Sequence, residues 1–264
     1  MSRRCLLRER PSPGPTAPPV FYPSRLPSLH LVRMMKLRTA IRDHSNLNVR
    51  TLTRSPMALE DFDIFQSFGD RLPLGTSLPT LNPKISDIHE PKVAAPRHRL
   101  KLLTDADAAG IHTYVAVAPV YPEVGCDGML EVFEAVKAAN PCTVFAEPVN
   151  LRLEIAERVR SESRRQARRR RHEEGNDLDV SEFDIDMTPY SDSEAWVEYA
   201  VRTLRDAERA AEKADLSERF HLWPDHQALG RNSVINRQPD PEAFRAWLRR
   251  WWDRVSEWPD KTGC

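Results

Sequence analysis

Apolar positions along the chain follow two rhythms. Short runs rich in β-branched or aromatic residues occur at Asn48 to Thr53, Arg71 to Ser77, His112 to Pro119, Cys142 to Glu147 and Arg219 to Trp223, and each has the length and composition of a strand. Between them, apolar residues recur every three or four positions. Ala58, Phe62 and Phe65 would line one helix, Leu100, Leu103 and Ala106 a second, and Met129, Phe133 and Val136 a third. Gly110 and Asn140-Pro141 are placed to stop the last two. Strands alternating with covering helices predict βα units on a mostly parallel sheet.

After Glu147 the alternation breaks. Leu151 to Glu174 reads as one long helix whose second half carries Arg164, Arg165, Arg168, Arg169, Arg170 and Arg171, followed by an acidic stretch from Glu173 to Asp186. Adjacent blocks of opposite sign fit a solvated, self-compensating insertion; an arginine face on phosphates is the other reading. Helical spacing resumes behind Asp192 with Val197, Val201, Leu204, Ala207 and Ala211. A final amphipathic helix starts at Asp240-Pro241 and aligns Phe244, Trp247, Leu248, Trp251, Trp252 and Val255, a stripe that reads as core before it reads as a base-stacking surface.

The chain has 264 residues, with 39 basic and 39 acidic side chains, so no overall field selects a polyanionic partner. Seven prolines and five arginines in residues 1–30, against the single acid Glu9, mark a disordered Pro/Arg-rich leader. The expected division is this leader, an α/β unit over 31–230 with the charged insertion at about 160–190, and a C-terminal amphipathic helix over 231–264. No apolar run is long enough to cross a membrane and no secretory signal opens the chain, so the expected address is cytoplasmic and no membrane partner is expected. Cys5, Cys126, Cys142 and Cys264 form no C-x-x-C pair; Cys126 and Cys142 read as unpaired thiols. His221 and His226, with Asp225 between them, suggest a metal, but no third ligand has the spacing of a catalytic zinc site, and no P-loop, G-x-G-x-x-G or Ser-His-Asp pattern is present, so no metal site is expected.

In parallel α/β folds, chemistry gathers where the strands' carboxyl ends converge. Each predicted exit carries a proline: Pro56, Pro79, Pro119 with Pro122, Pro148 and Pro224. Proline ends a ladder sharply and holds the last polar side chain at the rim. Hydroxyls, the Glu147 carboxylate, the Asn150 amide and the His221 imidazole would then face one opening, suited to a ligand with ribose and amino-acid groups.

Read in order, Val49 to Ser55 (VRTLTRS), Thr76 to Thr80 (TSLPT), Glu90-Pro91, Arg97, Arg99-Leu100, Ala109 to Ile111 (AGI), Val115 to Pro119 (VAVAP) and Thr143 to Asn150 (TVFAEPVN) resemble the later part of a radical SAM barrel, in particular the spore photoproduct lyase and DNA repair photolyase-like group. The resemblance is dense over about 48–150 and loose over about 191–230. It implies a partial (β/α) barrel and, for an intact family member, S-adenosylmethionine with a 4Fe–4S cluster, lyase-type radical chemistry and DNA as partner. By position, Thr53, Ser77, Thr80, Arg99 and the backbone at Ala118 would bind S-adenosylmethionine, with Arg99 on its carboxylate, while Glu147, Asn150 and His221 would lie on the substrate side. Arg99 could equally be a surface helix residue.

One departure is plain. Such enzymes hold the cluster with three cysteines in C-x-x-x-C-x-x-C, leaving one iron open for S-adenosylmethionine, and no such motif occurs here. The expectation is a radical SAM-like chain without reductive chemistry of its own; a binding or structural protein, nucleic-acid associated through its arginine run, is the alternative. A partner chain completing the barrel is the further expectation, because missing strands expose sheet edges. An unrelated barrel lyase would need a lysine at a strand end, and none of the exits offers one.

Overall fold

The computed structural model describes residues 39–150, 153–174 and 185–256. The predicted leader, much of the acidic stretch, Cys5 and Cys264 fall outside them. Helical residues 39–44 (α1) precede β1 (Thr51–Thr53), α2 (Phe62–Gln66), β2 (Leu74–Ser77), α3 (Pro83–His89), α4 (Pro96–Ala108), β3 (Thr113–Val120), α5 (Gly125–Val136) and β4 (Thr143–Pro148). There follow α6 (Leu153–Glu174), α7 (Ser193–Lys213), β5 (Phe220–Leu222), the short α8 (His226–Leu229) and α9 (Asn232–Ile235), and α10 (Pro241–Ser256).

The five strands pair in chain order, β1-β2-β3-β4-β5, every pair parallel. A doubly wound sheet reverses its order partway; this one does not. Sequential parallel order is the arrangement of a (β/α) barrel, and the fold is α/β with a partial-barrel sheet. Along its register, side chains alternate between two faces. Leu74, Val115, Val117, Val144, Ala146, Phe220 and Leu222 join the buried cores that the helices cover. The opposite face carries a row of register partners, Ser77, Ala116, Phe145 and His221.

Local signals explain most boundaries. Asn82 accepts from the Lys84 and Ile85 amides ahead of Pro83, and Asp192 accepts from Glu194 and Ala195. Asp240 accepts from the Ala243 amide, as the sequence leads one to expect. Gly110 closes α4 at φ 76°, where a side chain would be strained. The predicted first helix is instead a 3-10 turn over Pro56–Asp61 leading into α2, because Pro56 and the Ser55 cap tighten the start. Helix α3 is too short for apolar periodicity to announce it, and Asn82-Pro83 is its local signal. α10 packs into the main core through Phe244, Leu248 and Trp251, with the Trp251 ring edge-on to Phe220 at 5.7 Å. Cys126 is a free thiol, whereas Cys142, expected to be unpaired, is disulfide-bonded.

Candidate functional site

The strand exits separate into two groups of polar residues. The first surrounds Glu90, just after α3. Arg99, on the buried side of α4, is fully buried, which overturns its reading as a surface helix residue. Its Nη2 lies 2.7 Å from Glu90 Oε2, and Arg54 Nη1, reaching over from the β1 exit, lies 3.1 Å from Oε1. Neither carboxylate oxygen receives a well-aligned hydrogen bond, so charge pairing carries the contact. The Arg99 guanidinium spends its directed bonds elsewhere, donating to the Ser77 carbonyl at 2.7 Å and to Ser86 Oγ at 3.2 Å.

The hydroxyls nearby are also engaged within the chain. Ser77 Oγ donates to the Ala118 carbonyl at 2.5 Å, stitching the ends of β2 and β3. Thr80 Oγ1 accepts from the Asn82 amide and Thr53 Oγ1 from the Ser55 amide, each forming a turn. The five residues proposed for S-adenosylmethionine thus sit around Glu90 or at adjacent turns. Tyr121 borders the group; burial first, and then the Glu90 charge, push its phenol well above the ordinary tyrosine value.

The second group is an open cavity of about 330 Å³ at the exits of β4 and β5. Glu147, Asn150, Trp223, Asp225, His226 and Trp252 line it, with Trp196 behind. The lining is set by neighbouring backbone: Trp196 Nε1 donates to the Val149 carbonyl at 2.7 Å, and Asp225 caps α8 by accepting from Ala228. The His226 ring lies 4.2 Å from that of Trp252. Burial raises the pKa of the Glu147 carboxyl, and the Asp225 charge adds to it. The site can therefore offer a carboxyl that keeps its proton to higher pH, an amide, a second carboxylate and flat aromatic walls. Its size is at the small end of ligand pockets, roughly 300–1,000 Å³.

Glu147 follows Phe145 by two residues, so alternation puts it on the face of Ser77 and His221. His221 is buried and does not line the cavity. The sequence singles out Glu147 and Asn150 but not the indole walls: Trp223 stands there only as part of an exit, and Trp252 packs against the core, as its stripe suggests, while also bordering the cavity.

No family model matches the chain. A stretch of 70 residues is 36% identical to ORF301, an uncharacterised protein of Acidianus two-tailed virus, covering 26% of this chain and 23% of that protein. A solved structure of a spore photoproduct lyase mutant superposes over 73% of this chain and 56% of that one, with a TM-score of 0.47 and 17% identity. The chain thus spans less than two thirds of either protein.

Proposed function

We propose that the chain is a ligand-binding unit on a radical SAM-like partial barrel, taking a flat, hydrogen-bonding ring such as a nucleobase in the cavity behind Glu147, and not carrying a redox cluster by itself. The motif order along residues 48–150 and the sequential parallel sheet support the relationship. The cavity itself carries the binding reading: indole faces can stack a planar ring, while Glu147 and Asn150 can pair with its polar edge. The Asn150 amide combines a donor and an acceptor, the pairing that base edges require, and the Glu147 carboxyl adds acceptor oxygens.

Neither implied cofactor fits the residues present. Four scattered cysteines cannot supply the three-thiolate motif, and among the described residues no cluster of three His, Cys, Asp or Glu side chains could hold a metal. Arg99, the expected partner of the S-adenosylmethionine carboxylate, already faces an internal carboxylate in Glu90. A ligand carboxylate would have to displace a buried ion pair.

The test is a titration with adenosine and with thymidine, followed by tryptophan fluorescence. Saturable quenching that is lost in Trp223→Ala and in Glu147→Ala supports the reading. No saturable change with either nucleoside, in a chain shown to be folded by circular dichroism, would overturn it.

A further inference from the structure

We infer that one face of α6 is a binding surface for the phosphate backbone of a single-stranded nucleic acid, independently of what the β4–β5 cavity holds. Arg160, Arg164, Arg168 and Arg171 recur at steps of four, four and three residues, so they form one stripe with a cation about every 6 Å along the helix axis. All four are exposed. None has an ion-pair partner among the described residues, whereas Arg165 and Arg169, on the flank, are paired with Glu162 and Glu173 at 2.6 and 2.8 Å.

Glu157 and Ser161 complete a shallow groove of about 430 Å³ with Arg160, Arg164, Arg165 and Arg168. The opposite side of the helix is taken: Ile155, Val159 and Ala167 pack with Ile88 and Ile185. Like charges held in a row repel one another, and among the described residues that line the groove only Glu157 carries the opposite charge. A linear polyanion removes that repulsion along its length. A membrane surface fits less well, because the helix has no free apolar face to insert beside the arginines.

The groove is lined by arginines, Glu157 and Ser161 with no aromatic ring to stack a base, so the binding should be dominated by phosphate contacts and depend on salt. Releasing counterions from four phosphates gives a slope of log K against log salt of about −3 for a single strand.

The test uses the full chain and a fluorescent 20-residue oligo(dT), measured by anisotropy across a salt series. The triple variant Arg160→Gln/Arg164→Gln/Arg168→Gln should weaken binding at least tenfold and flatten the slope to about −1. Arg237→Gln, a surface arginine paired with Glu194 elsewhere, should change neither. The triple variant should still quench with adenosine, which separates this surface from the cavity. Unchanged affinity or slope in a triple variant with wild-type circular dichroism would overturn the inference. So would tighter retention on vesicles of anionic phospholipid than on the oligonucleotide.

Discussion

Arg99 and Glu90 form a fully buried ion pair, 2.7 Å between Nη2 and Oε2, joining the start of α4 to the end of α3. Two charges withdrawn from water are tolerable only together, and the Arg54 guanidinium from the first strand exit shares the carboxylate. The pair therefore fastens the β1 exit to the β2–β3 connection, with the Ser77 carbonyl taking a further bond from the same guanidinium.

Breaking that pair from one side should be costly. Glu90→Gln is expected to lose about 3–5 kcal/mol in urea unfolding, since it leaves the buried Arg99 charge alone, and Arg99→Met less, since Arg54 still faces the carboxylate. The double variant Arg99→Met/Glu90→Leu should recover much of the loss. Equal or greater destabilisation in the double variant would show that the pair itself is net stabilising.

Gly75 lies beneath the ring of Tyr114 on the neighbouring strand, and a Cβ there would come within 2.3 Å of Cζ. Gly75→Ala should destabilise the fold by roughly 1–3 kcal/mol through overpacking. Adding Tyr114→Ala should relieve the clash, giving a favourable coupling term in a double-mutant cycle. Additive losses would mean that the ring moves aside freely.

Tyr114 also supplies a spectroscopic handle. Burial pushes its phenol up to about 12, with nearby Arg50 working in the opposite direction. Its folded value lies above the unfolded one, so the stability it contributes is complete below about pH 10 and is lost as pH rises through about 12. In a titration of absorbance near 295 nm, the difference between wild type and Tyr114→Phe should appear only in that alkaline range. Ionisation of this residue near pH 10 would contradict it.

Glu147 should mark the cavity in the acid range. Because its folded pKa is raised, the protonated carboxyl favours the fold; that contribution is full below the ordinary value of 4.5 and is lost as pH rises through the folded value. Glu147→Gln cannot ionise, so its melting temperature should gain on wild type as pH increases from 4 to 7. A constant difference across that range would place the carboxyl in a water-like setting.

The strands were legible because each is bounded by polar or proline residues and rich in branched side chains, and all five appear near their expected positions. The fate of Arg99 was not. A motif position shows which type of side chain stands there, but the carboxylate that meets it comes from Glu90, just past a helix that periodicity does not reveal. The first strand exit gave a similar lesson, since Arg54 bonds across loops that are far apart in sequence. The aromatic wall was hidden for another reason. Trp251 is buried in the core while Trp252, its neighbour in sequence, packs against that core and also borders the cavity, and a helical stripe alone cannot show which of the two indoles has a second surface.

The separation of this chain from cluster chemistry is tested most directly by anaerobic reconstitution with iron and sulfide, followed by desalting and counting iron per chain alongside absorbance near 400 nm. Far less than one cluster per chain and no broad charge-transfer band are expected. Four irons and four sulfides retained by each folded monomer would contradict that separation.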